Sequence, residues 1–139
     1  MPRSRSLSAK TALITVRLEP KYRFALSLLA RIRRRPMASV IEMLINQAMK
    51  DHDSGLFVPI KGKKGTKHRS ILDDTWDPDE ADRFVNIASK HPQLLTYDEE
   101  KAWKDIKQNP ALWGADGKLI LADLRHRWPA IKSVHNIDI

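Results

Sequence analysis

Residues Thr11 to Pro20 read TALITVRLEP, and this decapeptide constrains the fold more than any other stretch of the 139-residue chain. Ala12, Ile14, Val16 and Leu18 share one face of a strand; Thr11, Leu13, Thr15 and Arg17 share the other. The segments that follow are patterned for helices, so this strand has no natural partner within its own chain. A lone strand leaves a row of main-chain donors and acceptors unpaired, which a soluble protein must cover. The simplest remedy is a second copy. Two strands then pair antiparallel across a two-fold axis and lay their apolar faces on four helices. Their outward face becomes a two-stranded ribbon narrow enough for a DNA major groove.

Two amphipathic helices are predicted next. PKYRFALSLLARIRR puts Tyr22, Ala25, Leu26, Leu29 and Ile32 on one stripe, with Lys21, Arg23, Arg31, Arg33, Arg34 and Arg35 on the polar side. Pro36 closes that helix and can open the next. PMASVIEMLINQAMKDH then aligns Val40, Ile41, Leu44, Ile45, Ala48 and Met49. Ser39 and Glu42 have capping-box spacing, or else both lie inside the first turn. Gly55 is expected to terminate this helix.

In this order, the stretch ITVRLEPKYRFALSLLARIRRRPMASVIEMLINQAM (14–49, the centre of a match over about 11–52) resembles the ribbon-helix-helix family of bacterial, plasmid and phage DNA-binding proteins, the MetJ/Arc group. Where that family commonly has a glycine between its helices, this chain has Arg34 and Arg35. The resemblance implies a dimer whose outward strand residues Leu13, Thr15 and Arg17 read base edges. Arg17 can donate twice to a guanine, and Thr15 can donate, accept, or meet a thymine methyl. It also implies a dimer core of Ile14, Val16, Leu18, Leu26, Leu29, Val40, Ile41, Leu44 and Ile45. The backbone amides of Met37, Ala38 and Ser39 would clamp a phosphate at a helix start. Arg31, Arg34 and Arg35 would reach further phosphates, although consecutive helical residues cannot all share one face. Arg3, Arg5 and Lys10 either follow phosphates or a minor groove, or stand idle.

Charge agrees with this division of labour. Residues 1–70 carry 16 Lys and Arg against 4 Asp and Glu, a net of +12, whereas residues 71–139 carry 9 against 13, a net of −4. Such a split predicts a half that binds nucleic acid and a half that does something else. The expected organisation is mainly α-helical. A flexible basic arm (1–10) precedes a ribbon-helix-helix domain (11–54), a basic linker (55–70) whose Leu56, Phe57, Val58 and Ile60 are apolar enough to dock and order its first part, and an acidic helical domain (71–139). That last domain holds all four tryptophans, Trp76, Trp103, Trp113 and Trp128, most of them as core. Within it, Asp77, Asp79, Glu80 and Asp82 suit a helix N-terminus, and Thr96 with Glu99 forms a capping box. Pro92 and Pro110 break helices. KLILADLRHRW makes a last helix, or a short strand leading into one, that Pro129 ends.

Catalytic chemistry finds no foothold. There is no cysteine, so no disulfide framework and no thiolate zinc site. His52, His68, His91, His126 and His135 lack metal-ligand spacing, and DDTWDPDEAD lacks the glycine of a calcium loop. GKKGTK fails the spacing of a phosphate loop, and no nucleophile elbow is present. No cofactor, metal or catalytic residue is expected. No apolar run approaches the ~20 residues needed to span a bilayer, so a cytoplasmic, nucleoid-associated protein is expected. The functional expectation is a dimeric, sequence-specific repressor of double-stranded DNA. Its C-terminal domain would assemble copies along an operator or contact a protein partner. Two alternatives stay open: the antitoxin of a toxin–antitoxin module, and an accessory DNA-binding protein for plasmid transfer or partition.

Overall fold

Pro20 has its φ preset for a helix, at a position whose N–H would be unpaired anyway, and helix α1 (Pro20–Arg33) starts on it. The computed structural model describes residues 11–60 and 67–139. It divides into two units, Met1–Gln47 and Ala48–Ile139. Helix α1 stops at Arg34, which takes the left-handed conformation (φ 51°, ψ 45°). The Arg34 N–H donates to the Arg31 carbonyl (3.2 Å) and the Arg35 N–H to the Ala30 carbonyl (3.0 Å). These two bonds define a Schellman motif, with arginine in the slot that glycine usually fills. Pro36 follows, and helix α2 (Met37–Lys50) begins one residue later. Ser39 is the third residue of α2 and Glu42 the sixth, so the pair lies within the helix and is not a cap. Residues 11–19 belong to no helix or ladder of the single chain.

The stretch 55–70, expected as a linker, instead carries β1 (Phe57–Pro59) and β2 (His68–Ser70). They pair antiparallel in the register Phe57↔Ser70, Val58↔Arg69 and Pro59↔His68. The ladder extends at both ends: the Ile60 N–H donates to Lys67 O (2.9 Å) and the Ile71 N–H to Leu56 O (2.8 Å). Glycine and lysine dominate the composition here, but the run Leu56, Phe57, Val58 decides the outcome. Phe57 packs its ring 4.6 Å from that of His52, which lies 4.9 Å from His68. Gly55 is likewise not the helix terminator. Helix α2 ends at Lys50, and the Asp51 carboxylate accepts from the Asp53 N–H (2.9 Å) in the turn that follows. Gly55 lies further on, with φ +94°.

The rest of the second unit is a small helical domain. Ser70 caps α3 (Ile71–Thr75), Asp79 caps α4 (Glu80–Lys90), and Thr96 caps α5 (Tyr97–Gln108). Both arms of the Thr96–Glu99 capping box are made, at 3.3 and 2.8 Å. Short 3-10 turns at Pro92–Leu94 and Pro110–Leu112 mark the two prolines that break helices. Trp113 bridges to Leu119 across a turn in which Gly117 has φ +77°.

Helix α6 (Leu121–His135) departs from expectation, because it runs straight through Pro129. Proline removes one backbone bond and crowds the carbonyl of Arg125. Burial overrides that cost: Leu124 and Trp128 are buried just before the proline, and Ile131 packs on the same core just after it. The core itself gathers Ala81 and Phe84 from α4, Ala102 and Ile106 from α5, then Leu112, Leu124, Trp128 and Ile137. Phe84 lies 5.0 Å from the Trp128 ring and 6.1 Å from Trp103.

Candidate nucleic-acid interface

The first unit is built differently from the second. Of its described residues only Val40 is buried, at 1% exposure. Two apolar grooves run between the 11–18 segment and the two helices. One, of about 350 Å³, is lined by Val16, Leu18, Tyr22, Ala25, Leu26, Leu29, Ile41 and Leu44. The other, of about 320 Å³, is lined by Ile14, Val16, Leu18, Arg23, Leu26, Met37 and Ile41. Seven of the nine residues expected to form a dimer core therefore converge on these grooves. Val40, the one buried residue among those described in the first unit, and Ile45 line neither. Tyr22 and Ala25 join the grooves by helical spacing from Leu26 and Leu29, a signal the sequence already carried. Met37, expected only as an amide donor, also contributes its side chain.

Residues expected to face DNA are exposed. Leu13 is 95% exposed, and Thr15 and Arg17 stand open beside it. Arg31, Arg34 and Arg35 are exposed as well. At the start of α2 the Val40 N–H donates to Pro36 O (3.3 Å), so the amides of Met37, Ala38 and Ser39 precede the first full helical bond. Three consecutive donors there, with the partial positive charge of the helix end, suit an anion. No acidic residue occurs in the first turn of either α1 or α2 to compete for it. Arg3, Arg5 and Lys10 lie outside the described residues.

In the second unit several carboxylates are paired within the domain, Asp74, Glu80 and Asp82 among them. Asp82 accepts from Arg125 at 2.8 and 2.6 Å, and this bond holds its carboxyl below the usual range. Glu80 accepts from Lys132 (2.7 Å) and Trp128 (3.2 Å), with the same effect. Of the tryptophans, Trp128 is buried, Trp103 and Trp113 are half-buried, and Trp76 is 60% exposed. The Arg83 guanidinium lies 5.1 Å from the centre of the Trp76 ring. Among the described residues no three His, Asp or Glu side chains converge on a metal-sized site. No described helix is long and apolar enough to cross a membrane.

The chain matches no family model, no curated protein and no solved structure.

Proposed function

We propose that this protein is a dimeric, sequence-specific binder of double-stranded DNA that acts as a transcriptional repressor of the ribbon-helix-helix type. One observation carries the reading: among its described residues the first unit buries a single side chain, while Ile14, Val16, Leu18, Ile41 and Leu44 stay exposed around two apolar grooves. Each large aliphatic side chain left in water forgoes about 1.5–3 kcal/mol of burial. A second copy, adding its own strand and helices, covers those residues and pairs the 11–18 segments.

With the strands paired, Leu13, Thr15 and Arg17 line one outward surface. The amides of Met37, Ala38 and Ser39 then hold a phosphate to set the register, and Arg31, Arg34 and Arg35 add charge. The left-handed Arg34 supports the reading too, because it occupies the turn position where the family commonly has glycine. The well-formed core of the second unit favours a folded regulatory or assembly domain over the coreless tail of an antitoxin.

The test is to sequence the DNA fragments that co-precipitate with the protein from its native cell, for the wild type and for Arg17→Ala. A short shared motif, lost in the variant, is the expected outcome. Fragments without a common motif, or a motif unchanged in Arg17→Ala, would refute base reading by the ribbon.

A further inference from the structure

Helix α1 carries more apolar surface than the grooves use. Tyr22, Ala25, Leu26 and Leu29 line them; Phe24, Leu28 and Ile32 line neither. Spaced four residues apart, these three advance by about 40° each and form a row centred roughly 100° around the helix from the groove-lining residues, with Ile32, which the sequence grouped with them, at the near edge beside Ala25. They are 64%, 41% and 74% exposed. An apolar row at regular helical spacing differs from scattered surface apolar residues, which need no explanation.

The charge around the stripe indicates what covers it. Lys21 and Arg31 lie on the same side of the helix, and α1 contains no acidic residue from Pro20 to Arg33. A second copy of α1 would bring the same cations against these and be repelled. A partner that pairs both features offers an apolar stripe flanked by carboxylates.

We propose that Phe24, Leu28 and Ile32, with Lys21 and Arg31 beside them, form a docking ridge for an acidic amphipathic helix of another protein. Three leucine-sized side chains at helical spacing match the i, i+4 anchors of helix-to-helix recognition. The flanking cations select acidic flanks and steer the encounter. The three ridge residues line neither proposed dimer groove.

The test uses the full-length protein and two synthetic helical peptides of about 20 residues. Both carry the same leucine stripe, one flanked by glutamate and the other by lysine, and binding is followed by fluorescence anisotropy. The glutamate peptide should bind and the lysine peptide should not. Leu28→Lys should weaken the glutamate peptide about tenfold or more, even though it adds a positive charge. Leu28→Ser serves the same purpose if the lysine variant loses its helical circular dichroism. Tighter binding by Leu28→Lys would mean bulk charge attraction alone and overturn the proposal. So would a wild type that sediments above a dimer and returns to a dimer in Leu28→Lys, because a second copy would then occupy the ridge. Anionic lipid vesicles that bind the wild type but not Leu28→Lys, with neither peptide binding, would assign the ridge to a membrane surface instead. None of these readouts involves DNA, so a failure here is distinguishable from a failure of the repressor reading.

Discussion

The Asp74 carboxylate lies 2.9 Å from the Nε2 of His91, a ring only 3% exposed, and the same oxygen meets the Arg69 Nε at 2.7 Å. One carboxylate thus fastens β2 and α3 to the end of α4. The hydrogen bond to His91, aided by the Arg69 charge, holds the Asp74 carboxyl below its ordinary range. A group whose folded pKa is depressed stabilises the fold above its unfolded pKa, near 3.9, and that contribution disappears as pH falls through the folded value. Asp82 and Glu80 are depressed in the same direction. The second unit should therefore lose stability progressively below about pH 4–5. Asp74→Asn should lower its melting temperature at pH 7 and flatten the acid limb. Thermal unfolding from pH 3 to pH 7, followed by tryptophan fluorescence, measures both.

Arg34 pays a conformational cost at φ 51°, where a side chain crowds the following carbonyl. Arg34→Gly should stabilise the first unit by about 1 kcal/mol in denaturant unfolding. The same change should weaken DNA binding slightly if Arg34 neutralises a phosphate, reducing the salt slope by about one. Opposite signs for folding and binding in one variant would identify the role of the side chain.

Pro129 sits inside α6 and is exposed, so its ring adds little to the core while breaking a backbone bond. Pro129→Ala should raise the stability of the second unit by about 1–2 kcal/mol, the helix gain less the extra entropy of the unfolded chain. Calorimetry of the two full-length proteins checks this.

These cases show where local sequence speaks and where it falls silent. Thr96 and Glu99 form their capping box because both partners lie within one turn, so the spacing alone sufficed. The converging stripe of Val16, Leu18, Leu26, Leu29, Ile41 and Leu44 was legible for the same reason, through periods of two and 3.6 residues. Pro129 misled because the burial of Leu124 and Trp128 is tertiary and invisible to a breaker rule. The β1–β2 ladder was missed because its residues look like a basic linker by composition. The Arg69–Asp74–His91 cluster joins residues up to 22 positions apart, a convergence no periodicity announces.

Arg17 and Arg31 should fail in different ways. Arg17→Ala should cost about 1–3 kcal/mol on the preferred site and relax discrimination at the base pair it reads. Arg31→Ala should weaken all sequences alike and make binding less salt-dependent. Titrations of specific and scrambled duplexes at several salt concentrations separate the two.

Because the chain has no cysteine, a single introduced one reports on strand pairing without interference. Cysteines placed one at a time at Leu13, Ile14, Thr15, Val16 and Arg17, then mildly oxidised, should form covalent dimers with a sharp maximum at one position. Yield should fall away on both sides of it, as antiparallel strands crossing a two-fold axis require. Uniformly low cross-linking in a protein that still binds its DNA, or a yield that rises steadily toward one end, would contradict the paired ribbon.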